Sequence, residues 1–189
     1  MDYHIFINDH IDDLDLDAAL ALLSEQRREQ ALQFKHEFGR RACATTYLLL
    51  CKGLRELYGI TEKPIFEYGA HGKPFIVGHT DIHFNFSHCK EAVVCAISNR
   101  PIGVDVDSIR KYKDSLVQYT MNAKEIQQIK QAECPDIAFT RLWTMKEARL
   151  KLTGEGITNN MKDVLNEPFN MTTIVSPDMR YVYSVCMAY

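Results

Sequence analysis

The strongest candidate for chemistry is the segment 102–107, which reads Ile-Gly-Val-Asp-Val-Asp. Successive side chains of a β-strand point to opposite faces, so Asp105 and Asp107 share one face and the apolar side chains share the other. Two carboxylates about 7 Å apart along a strand repel each other unless a cation lies between them. Oxygen ligands favour a hard divalent ion such as Mg²⁺. A strand with an acidic, solvent-facing side explains the same pattern, so both interpretations stay open at this point.

A second group lies on a helix that we predict from 136 to 153. Trp143, Glu147 and Lys151 are each four residues apart, so they share one line of the helix surface. Glu147 could add a third carboxylate to the two of the strand, and Lys151 could present an ammonium group to phosphate oxygens one turn further along. An exposed Glu–Lys pair worth roughly 0.3 kcal/mol explains this spacing equally well when it is considered alone.

Two shorter segments complete the set. Residues 84–88 read Phe-Asn-Phe-Ser-His, which places Asn85 and Ser87 opposite the two core-facing phenylalanines. His88 follows at the strand end beside a turn, where a side chain can reach a ligand. The Gly-Lys-Pro turn at 72–74 presents Lys73 from a stiff backbone. Each segment by itself is also typical of ordinary surface residues.

In this order and at this spacing, the four segments resemble the 4'-phosphopantetheinyl transferase superfamily, in particular its Sfp-type branch. The family motifs are a Gly-Lys-Pro turn, Asn-x-Ser-His after Phe, a Gly-[Ile/Val]-Asp-[Ile/Val]-[Glu/Asp] strand, and Trp-x-x-Lys-Glu-Ala-x-x-Lys followed by Gly-x-Gly. They stand here at 72–74, 84–88, 103–107 and 143–151, with Gly154 and Gly156. The resemblance covers roughly residues 25–157, and the last two motifs are highly specific as a pair.

The resemblance implies an activity and a set of site residues. Family members transfer the 4'-phosphopantetheine arm of coenzyme A to a serine of an apo acyl or peptidyl carrier protein, with Mg²⁺, and release adenosine 3',5'-bisphosphate. By position, Asp105, Asp107 and Glu147 are the implied metal ligands, Glu147 is the candidate general base, and Lys151 is a catalytic contact to the pyrophosphate. The residues implied to contact coenzyme A are Arg40, Arg41, Lys73, Ser87, His88, Lys146 and Lys151. The family often has Glu at the position of Asp107, whose shorter side chain would hold the metal directly or through water.

Two rival functions remain. Another Mg²⁺-dependent phosphate-transfer enzyme would need Asp105 and Asp107, but it would not need the segments 84–88 and 143–151. A non-catalytic homologue that only binds carrier proteins would not need three carboxylates, His88 and Lys151.

The elements that must position these residues alternate between helices and strands. The predicted helices are 15–38, punctuated by Gly39, then 40–58 closed by Gly59, 123–131, and 136–153 closed by Gly154. The predicted strands are 2–8, 65–68, 74–77, 82–87, 92–98, 102–107, 172–176 and 180–187, of which 82–107 form an antiparallel meander. Because helices followed by strands occur twice, we predict an α+β fold of two similar halves related by pseudo-two-fold symmetry, 1–99 and 100–189, the second with the metal-site motifs.

Composition sets further bounds. The 189 residues are 46% hydrophobic and 25% charged, which is ordinary for a globular protein. No run of 18 apolar residues occurs, so we expect no membrane span. The net charge of -3 gives no support to nucleic-acid binding. The six cysteines form no Cys-x-x-Cys pair and the start does not read as an export signal, so we expect reduced thiols in a cytoplasmic protein. Because both halves lie in one chain, we expect the protein to be active as a monomer.

The charge is unevenly distributed along the chain. Residues 1–25 carry a net charge of -7, whereas residues 26–55 carry +5. A solvated helix face explains any single charge in such a run. Because carrier proteins are typically acidic around the modified serine, a local basic face would also suit their docking.

Overall fold

The computed structural model describes residues 3–69, 72–154 and 160–188. The strands are β1 (Tyr3–Asn8), β2 (Phe66–Tyr68), β3 (Pro74–Ile76), β4 (His83–His88), β5 (Val93–Ser98), β6 (Ile102–Ser108), β7 (Asn170–Val175) and β8 (Tyr181–Met187). The α-helices are α1 (Leu16–Leu22), α2 (Glu25–Leu32), α3 (Glu37–Tyr58), α4 (Asp114–Thr120), α5 (Ala123–Gln131) and α6 (Pro135–Thr153). Short 3-10 turns lie at Ile11–Asp13 and Met161–Asp163. Residues 70 and 71, between the predicted strands 65–68 and 74–77, and Gly156 of the family motif lie outside the described residues.

The first half packs three helices on a small antiparallel sheet with the strand order β1-β5-β4. Tyr47, Leu50 and Leu54 of α3 are fully buried against Phe84 of β4 and Ile97 of β5. The periodicity of α3 was therefore predicted correctly, because one apolar stripe every three to four residues must face this sheet. The hairpin β2–β3 forms a separate two-stranded sheet at the edge of this half.

The single helix predicted for 15–38 is wrong. The backbone is extended at Leu23 and Ser24, and the hydroxyl of Ser24 accepts a hydrogen bond from the Arg27 amide to begin α2. A hydroxyl at this position satisfies an amide that the first turn of a helix leaves free, so it starts a new helix. Gly39 does not end a helix either. It lies inside α3, where a Cβ atom would come within 2.7 Å of the Phe34 ring.

The second half packs α6 across a sheet with the order β6-β8-β7. The approach is closest at Gly103, where a Cβ atom would lie 2.1 Å from the Ala148 carbonyl oxygen. Only glycine allows the strand and the helix to come so near. The helix predicted for 136–153 is confirmed, and Gly154 ends it in the left-handed conformation, with a φ of 79°. The seven residues of α4 were not predicted.

The predicted meander is wrong at its last strand. Strand β5 has β1 on one edge and β4 on the other, so no edge remains for β6, which pairs with β8 instead. The two sheets still meet along β4 and β6 through side chains. Asn85 Oδ1 accepts a hydrogen bond from the Val104 amide at 2.9 Å, and Ser87 Oγ accepts one from the Val106 amide at 3.1 Å.

A second apolar cluster joins the two halves. Val94 and Ala96 of β5 pack against Val104 and Val106 of β6, on the face opposite α3. The fold is thus α+β, with helices packed on a small antiparallel sheet in each half, as predicted. None of the helices among the described residues is long and apolar enough to cross a membrane.

Candidate active site

A cavity of about 390 Å³ lies beside the ends of β4 and β6. Its lining includes all three predicted metal ligands, Asp105 and Asp107 from β6 and Glu147 from α6. They meet because the strand presents its polar face beyond the apolar cluster, while Gly103 lets α6 pack directly on the strand. The local periodicities of the strand and of the helix therefore converge on one place in the fold.

Asp105 is the most enclosed of the three carboxylates. Its Oδ1 accepts hydrogen bonds from Ser87 Oγ at 2.8 Å and from Lys151 Nζ at 2.7 Å. Lys151 also donates to Ser87 Oγ at 2.9 Å, so the three side chains form a closed triangle. The ammonium compensates the buried carboxylate, and the Ser87 hydroxyl joins both to the β6 backbone.

Glu147 has an unusual environment for a carboxylate. Burial raises its pKa, the charges of Asp105 and Asp107 raise it further, and Lys151 opposes these effects. Its Oε1 is buried without a hydrogen-bond partner among the described residues. A buried carboxylate oxygen without a partner is costly, so this atom suits a cation or a proton.

Asp107 lies at the outer end of the cavity. Its Oδ1 accepts a hydrogen bond from the Ser108 amide at 2.8 Å, and the Arg110 guanidinium lies 3.8 Å away. Burial raises the pKa of Asp107, and the Ser108 amide and Arg110 partly lower it. Asp105, Asp107 and Glu147 offer the oxygen donors that Mg²⁺ prefers. Within the described ranges, however, no three His, Cys, Asp or Glu side chains are arranged closely enough to hold a metal ion.

His88 lies where the sequence predicted it, at the rim of the same cavity. Its ring is 6.0 Å from that of Phe38, measured between centroids. Burial lowers the pKa of His88, and the positive charge of Lys151 lowers it further. Phe38 also lines the cavity and was missed, because an aromatic residue near a predicted helix end carries no signal for a site.

Three of the predicted anion-binding residues have internal partners and do not line this cavity. Arg41 pairs with Glu37 at 2.7 Å and donates to the carbonyl oxygens of Asp12 and Leu14. Arg40 donates through Nε to the carbonyl oxygen of Phe34.

Lys73 donates to the carbonyl oxygens of Ile102 and Leu152, at 3.0 and 3.1 Å. Burial lowers the pKa of Lys73. The ammonium therefore joins the β2–β3 side of the first half to β6 and to the end of α6.

The position of Lys146 corrects a prediction. Its side chain is 0% exposed and forms an ion pair with Glu125 at 2.9 Å. In this structure the ammonium has no surface that coenzyme A could touch. The expected basic face over 26–55 is also incomplete, because Arg27 is buried and donates to the Cys43 carbonyl oxygen and to Thr46.

A second cavity of about 670 Å³ adjoins the first and was not predicted. Asp107, Arg110 and Trp143 line both cavities. The second is walled by α4 and by the preceding segment 110–113, which reads Arg-Lys-Tyr-Lys. Three cations within four residues were visible in the sequence, but their place beside the carboxylates depends on the tertiary structure.

Comparison with known proteins yields one family. The model of the 4'-phosphopantetheinyl transferase superfamily matches residues 101–178. The 4'-phosphopantetheinyl transferase psf-1 of Bacillus pumilus is 32% identical over 72% of this chain and 60% of its own length. A 4'-phosphopantetheinyl transferase of Bacillus subtilis is 30% identical over 75% and 65%. The 4'-phosphopantetheinyl transferase Sfp of Bacillus subtilis strain 168 is 24% identical over 82% and 71%. The chain thus spans less than two thirds of the length of the first two relatives.

Proposed function

We propose that the chain is a member of the 4'-phosphopantetheinyl transferase superfamily, which it resembles over residues 101–178, and that it transfers the 4'-phosphopantetheine arm of coenzyme A to a serine of an apo acyl or peptidyl carrier protein. The serine oxygen forms a bond to the phosphorus that carries pantetheine, and the bond from that phosphorus to the bridging oxygen breaks. Adenosine 3',5'-bisphosphate leaves. The observation that carries the proposal is the meeting of Asp105, Asp107 and Glu147 at one cavity.

Asp105, Asp107 and Glu147 would hold the magnesium ion once their side chains move closer together than they lie in this structure, since their oxygens are the donors that this ion prefers. When bound, Mg²⁺ supplies positive charge to the pyrophosphate oxygens and to the leaving phosphate. Glu147 would take the proton of the serine hydroxyl, because its Oε1 is buried without a hydrogen-bond partner among the described residues. Lys151 would bind a pyrophosphate oxygen at the same edge of the cavity.

The remaining contacts to coenzyme A involve residues of the first half. His88 lines the cavity and would donate to a phosphate oxygen. Arg40, Arg41 and Lys73 would have to exchange carbonyl partners for phosphate oxygens, which are the stronger acceptors because they are charged. Ser87 would act indirectly, by holding Asp105 and Lys151.

The second cavity would receive the carrier protein. Its rim presents Arg110, Lys111 and Lys113, together with the exposed Tyr119 and Leu116 of α4. Positive charges beside apolar side chains suit a partner that is acidic around its modified serine. Since the two cavities share lining residues, a serine entering from this side would reach the carboxylates.

Three broader proposals accompany this function. The boundary between the halves lies at 99/100, since β5 ends at Ser98 and β6 begins at Ile102. The protein acts as a monomer, since both halves of one chain supply residues to the proposed site, His88 from the first and Asp105 from the second. The compartment is the cytoplasm, where the six unpaired cysteines would stay reduced.

The decisive experiment incubates the protein with coenzyme A, Mg²⁺ and several purified apo carrier proteins, and weighs each carrier by mass spectrometry. We expect at least one carrier to gain the mass of a phosphopantetheine group, and none to gain it with the Glu147→Gln variant. A carrier that binds without any mass gain would favour the non-catalytic homologue. No binding and no gain, with turnover of another phosphate ester, would favour the other Mg²⁺-dependent enzyme.

A further inference from the structure

The most deeply buried charge among the described residues that the proposed reaction does not use is the ammonium of Lys146. Its side chain is 0% exposed, and that of Glu125 on α5 is 8% exposed. Lys146 Nζ lies 2.9 Å from Glu125 Oε1 and donates to the Met161 carbonyl oxygen at 2.7 Å. Lys146, in the middle of α6, therefore contacts two other segments of the chain at once, α5 and Met161–Asp163.

Glu125 extends this network to the start of α5. Its Oε2 accepts a hydrogen bond from the Asn122 amide, and the Asn122 side chain accepts one from the Glu125 amide. Asn122 Nδ2 also donates to the Lys162 carbonyl oxygen, next to the carbonyl that Lys146 reaches. The Glu125 carboxylate thus connects the N-terminus of α5 to the middle of α6, and Lys146 and Asn122 each donate a hydrogen bond to the segment Met161–Asp163.

Stability alone does not account for such a pair. Well-packed apolar residues often replace a buried ion pair with no loss of stability, because taking two charges out of water is costly. Apolar contacts do not fix the orientation of the groups that they join, whereas hydrogen bonds do, because they have preferred angles. Elsewhere on α6, the backbone contact at Gly103 sets the distance to β6, and the hydrogen bonds between Thr144 and Ser184 and from Lys151 to Asp105 hold the helix together with this pair.

The rotation of α6 matters because Lys146 and Glu147 are adjacent on it. Neighbouring side chains of an α-helix are separated by about 100° around its axis. Lys146 is turned toward α5, and Glu147 lines the cavity of about 390 Å³. Any rotation that freed Lys146 would therefore turn Glu147 by the same angle, together with Lys151 one turn further on.

We propose that Glu125 and Lys146 form a positioning pair, which fixes the rotation of α6 and so places the Glu147 carboxylate in the cavity and the Lys151 ammonium against Asp105 beside it. The consequence for catalysis rests on the proposed function, whereas the effect on the helix does not. Lys146 is then a positioning residue that never touches coenzyme A.

The test uses the double variant Glu125→Gln with Lys146→Met. Glutamine keeps the hydrogen bond to the Asn122 amide, and the double change leaves no charge unpaired in the core. The readouts are kcat and KM for coenzyme A at saturating carrier, and the fluorescence of Trp143, which is the single tryptophan of the chain and lies one turn before Glu147. We expect kcat to fall at least tenfold with KM within threefold, since small misplacements of catalytic groups cost orders of magnitude. The Trp143 emission maximum and its quenching by acrylamide should also change.

The matched control is the double variant Lys52→Met with Glu56→Gln. These two residues form an exposed ion pair on α3, with 4.0 Å between their charged atoms. This control should leave kcat and Trp143 fluorescence unchanged. Lys146→Arg, which keeps the charge and the donors, should retain more activity than the double variant, and it serves if the double variant does not fold. A double variant that unfolds at a lower temperature but keeps wild-type kcat and Trp143 fluorescence would overturn the positioning role. If the wild-type protein transfers nothing while Trp143 still responds, the proposed function fails and the positioning pair stands.

Discussion

Lys151 Nζ lies 2.7 Å from Asp105 Oδ1, across the contact between α6 and β6. The two residues are 46 positions apart in the chain, so their pairing depends on the packing of the helix on the strand. It gives the buried carboxylate a compensating charge and holds the ammonium against a residue that lines the cavity, although Lys151 does not line the cavity itself.

Replacing Lys151 by methionine should abolish most activity and weaken the fold. Asp105 would keep Ser87 as a partner but lose its compensating charge, which we expect to lower the free energy of unfolding by about 2 kcal/mol. Urea denaturation and the carrier mass assay measure the two effects. Lys124→Met, at an exposed position of α5, is the control and should change neither. Full activity in Lys151→Met would contradict a pyrophosphate contact.

Replacing Glu147 by glutamine should separate activity from stability. Transfer should fall by about two to three orders of magnitude, because the variant loses both the proposed metal ligand and the proposed proton acceptor. The free energy of unfolding at neutral pH should not decrease, since burial already disfavours the charged form of this carboxyl. The measurements are single-turnover rates at saturating Mg²⁺ and a urea titration. Near-normal turnover would remove Glu147 from the mechanism.

His88 should make stability depend on pH. Burial and then the charge of Lys151 lower its pKa below the ordinary value of 6.5. The unfolded chain therefore binds more protons than the folded one at this site in the window just below pH 6.5. The contribution of neutral His88 to the free energy of unfolding is fully present above pH 6.5 and is lost as the pH falls through that window. The midpoint of urea unfolding should decline less in His88→Gln than in the wild type, whereas the exposed His4→Gln should follow the wild type. Parallel curves for all three proteins would argue against this shift.

Gly103→Ala tests the close contact between β6 and α6. The new Cβ would lie 2.1 Å from the Ala148 carbonyl oxygen, so the helix must move or the fold must weaken by about 3 kcal/mol. Either result should cost activity, since Glu147 and Lys151 move with the helix. Gly69→Ala is the matched control, because its Cβ would meet nothing closer than 3.7 Å. Thermal unfolding and transfer rates of the two variants should differ clearly. Equal behaviour would mean that the contact does not set the site.

Carrier docking should depend on salt and on the segment 110–113. We expect KM for the carrier to rise with ionic strength, since exposed charges are screened within about 10 Å at 0.1 M salt. Lys113→Glu should raise this KM about tenfold, whereas Arg28→Glu in the basic run of the first half should have a smaller effect. Lys130→Glu, on the exposed side of α5, serves as the control. A KM that does not respond to salt would rule out electrostatic docking, and a larger effect of Arg28→Glu would move the docking face to the first half.

Local patterns in the sequence determined much of the site. Alternation along 102–107 placed Asp105 and Asp107 on one face, and the spacing of four aligned Glu147 with Lys151, because strand and helix geometry depend only on neighbouring residues. The α+β class and most element positions followed from the same periodicities. The break at Ser24 was missed because apolar residues continue past it at helical spacing, although its hydroxyl begins a new helix.

The tertiary structure decided which partners these residues take. Lys73, Lys146 and Lys151 are the same residue type in motifs of similar strength. Lys73 donates to two carbonyl oxygens, Lys146 is buried against Glu125, and Lys151 pairs with Asp105 beside the cavity. The strand order also depends on the tertiary structure, because β1 and β4 pair with both edges of β5 and leave no edge for β6. A flexible lysine is compatible with all of these environments, and its choice depends on what distant segments bring within hydrogen-bond reach, which no local pattern encodes.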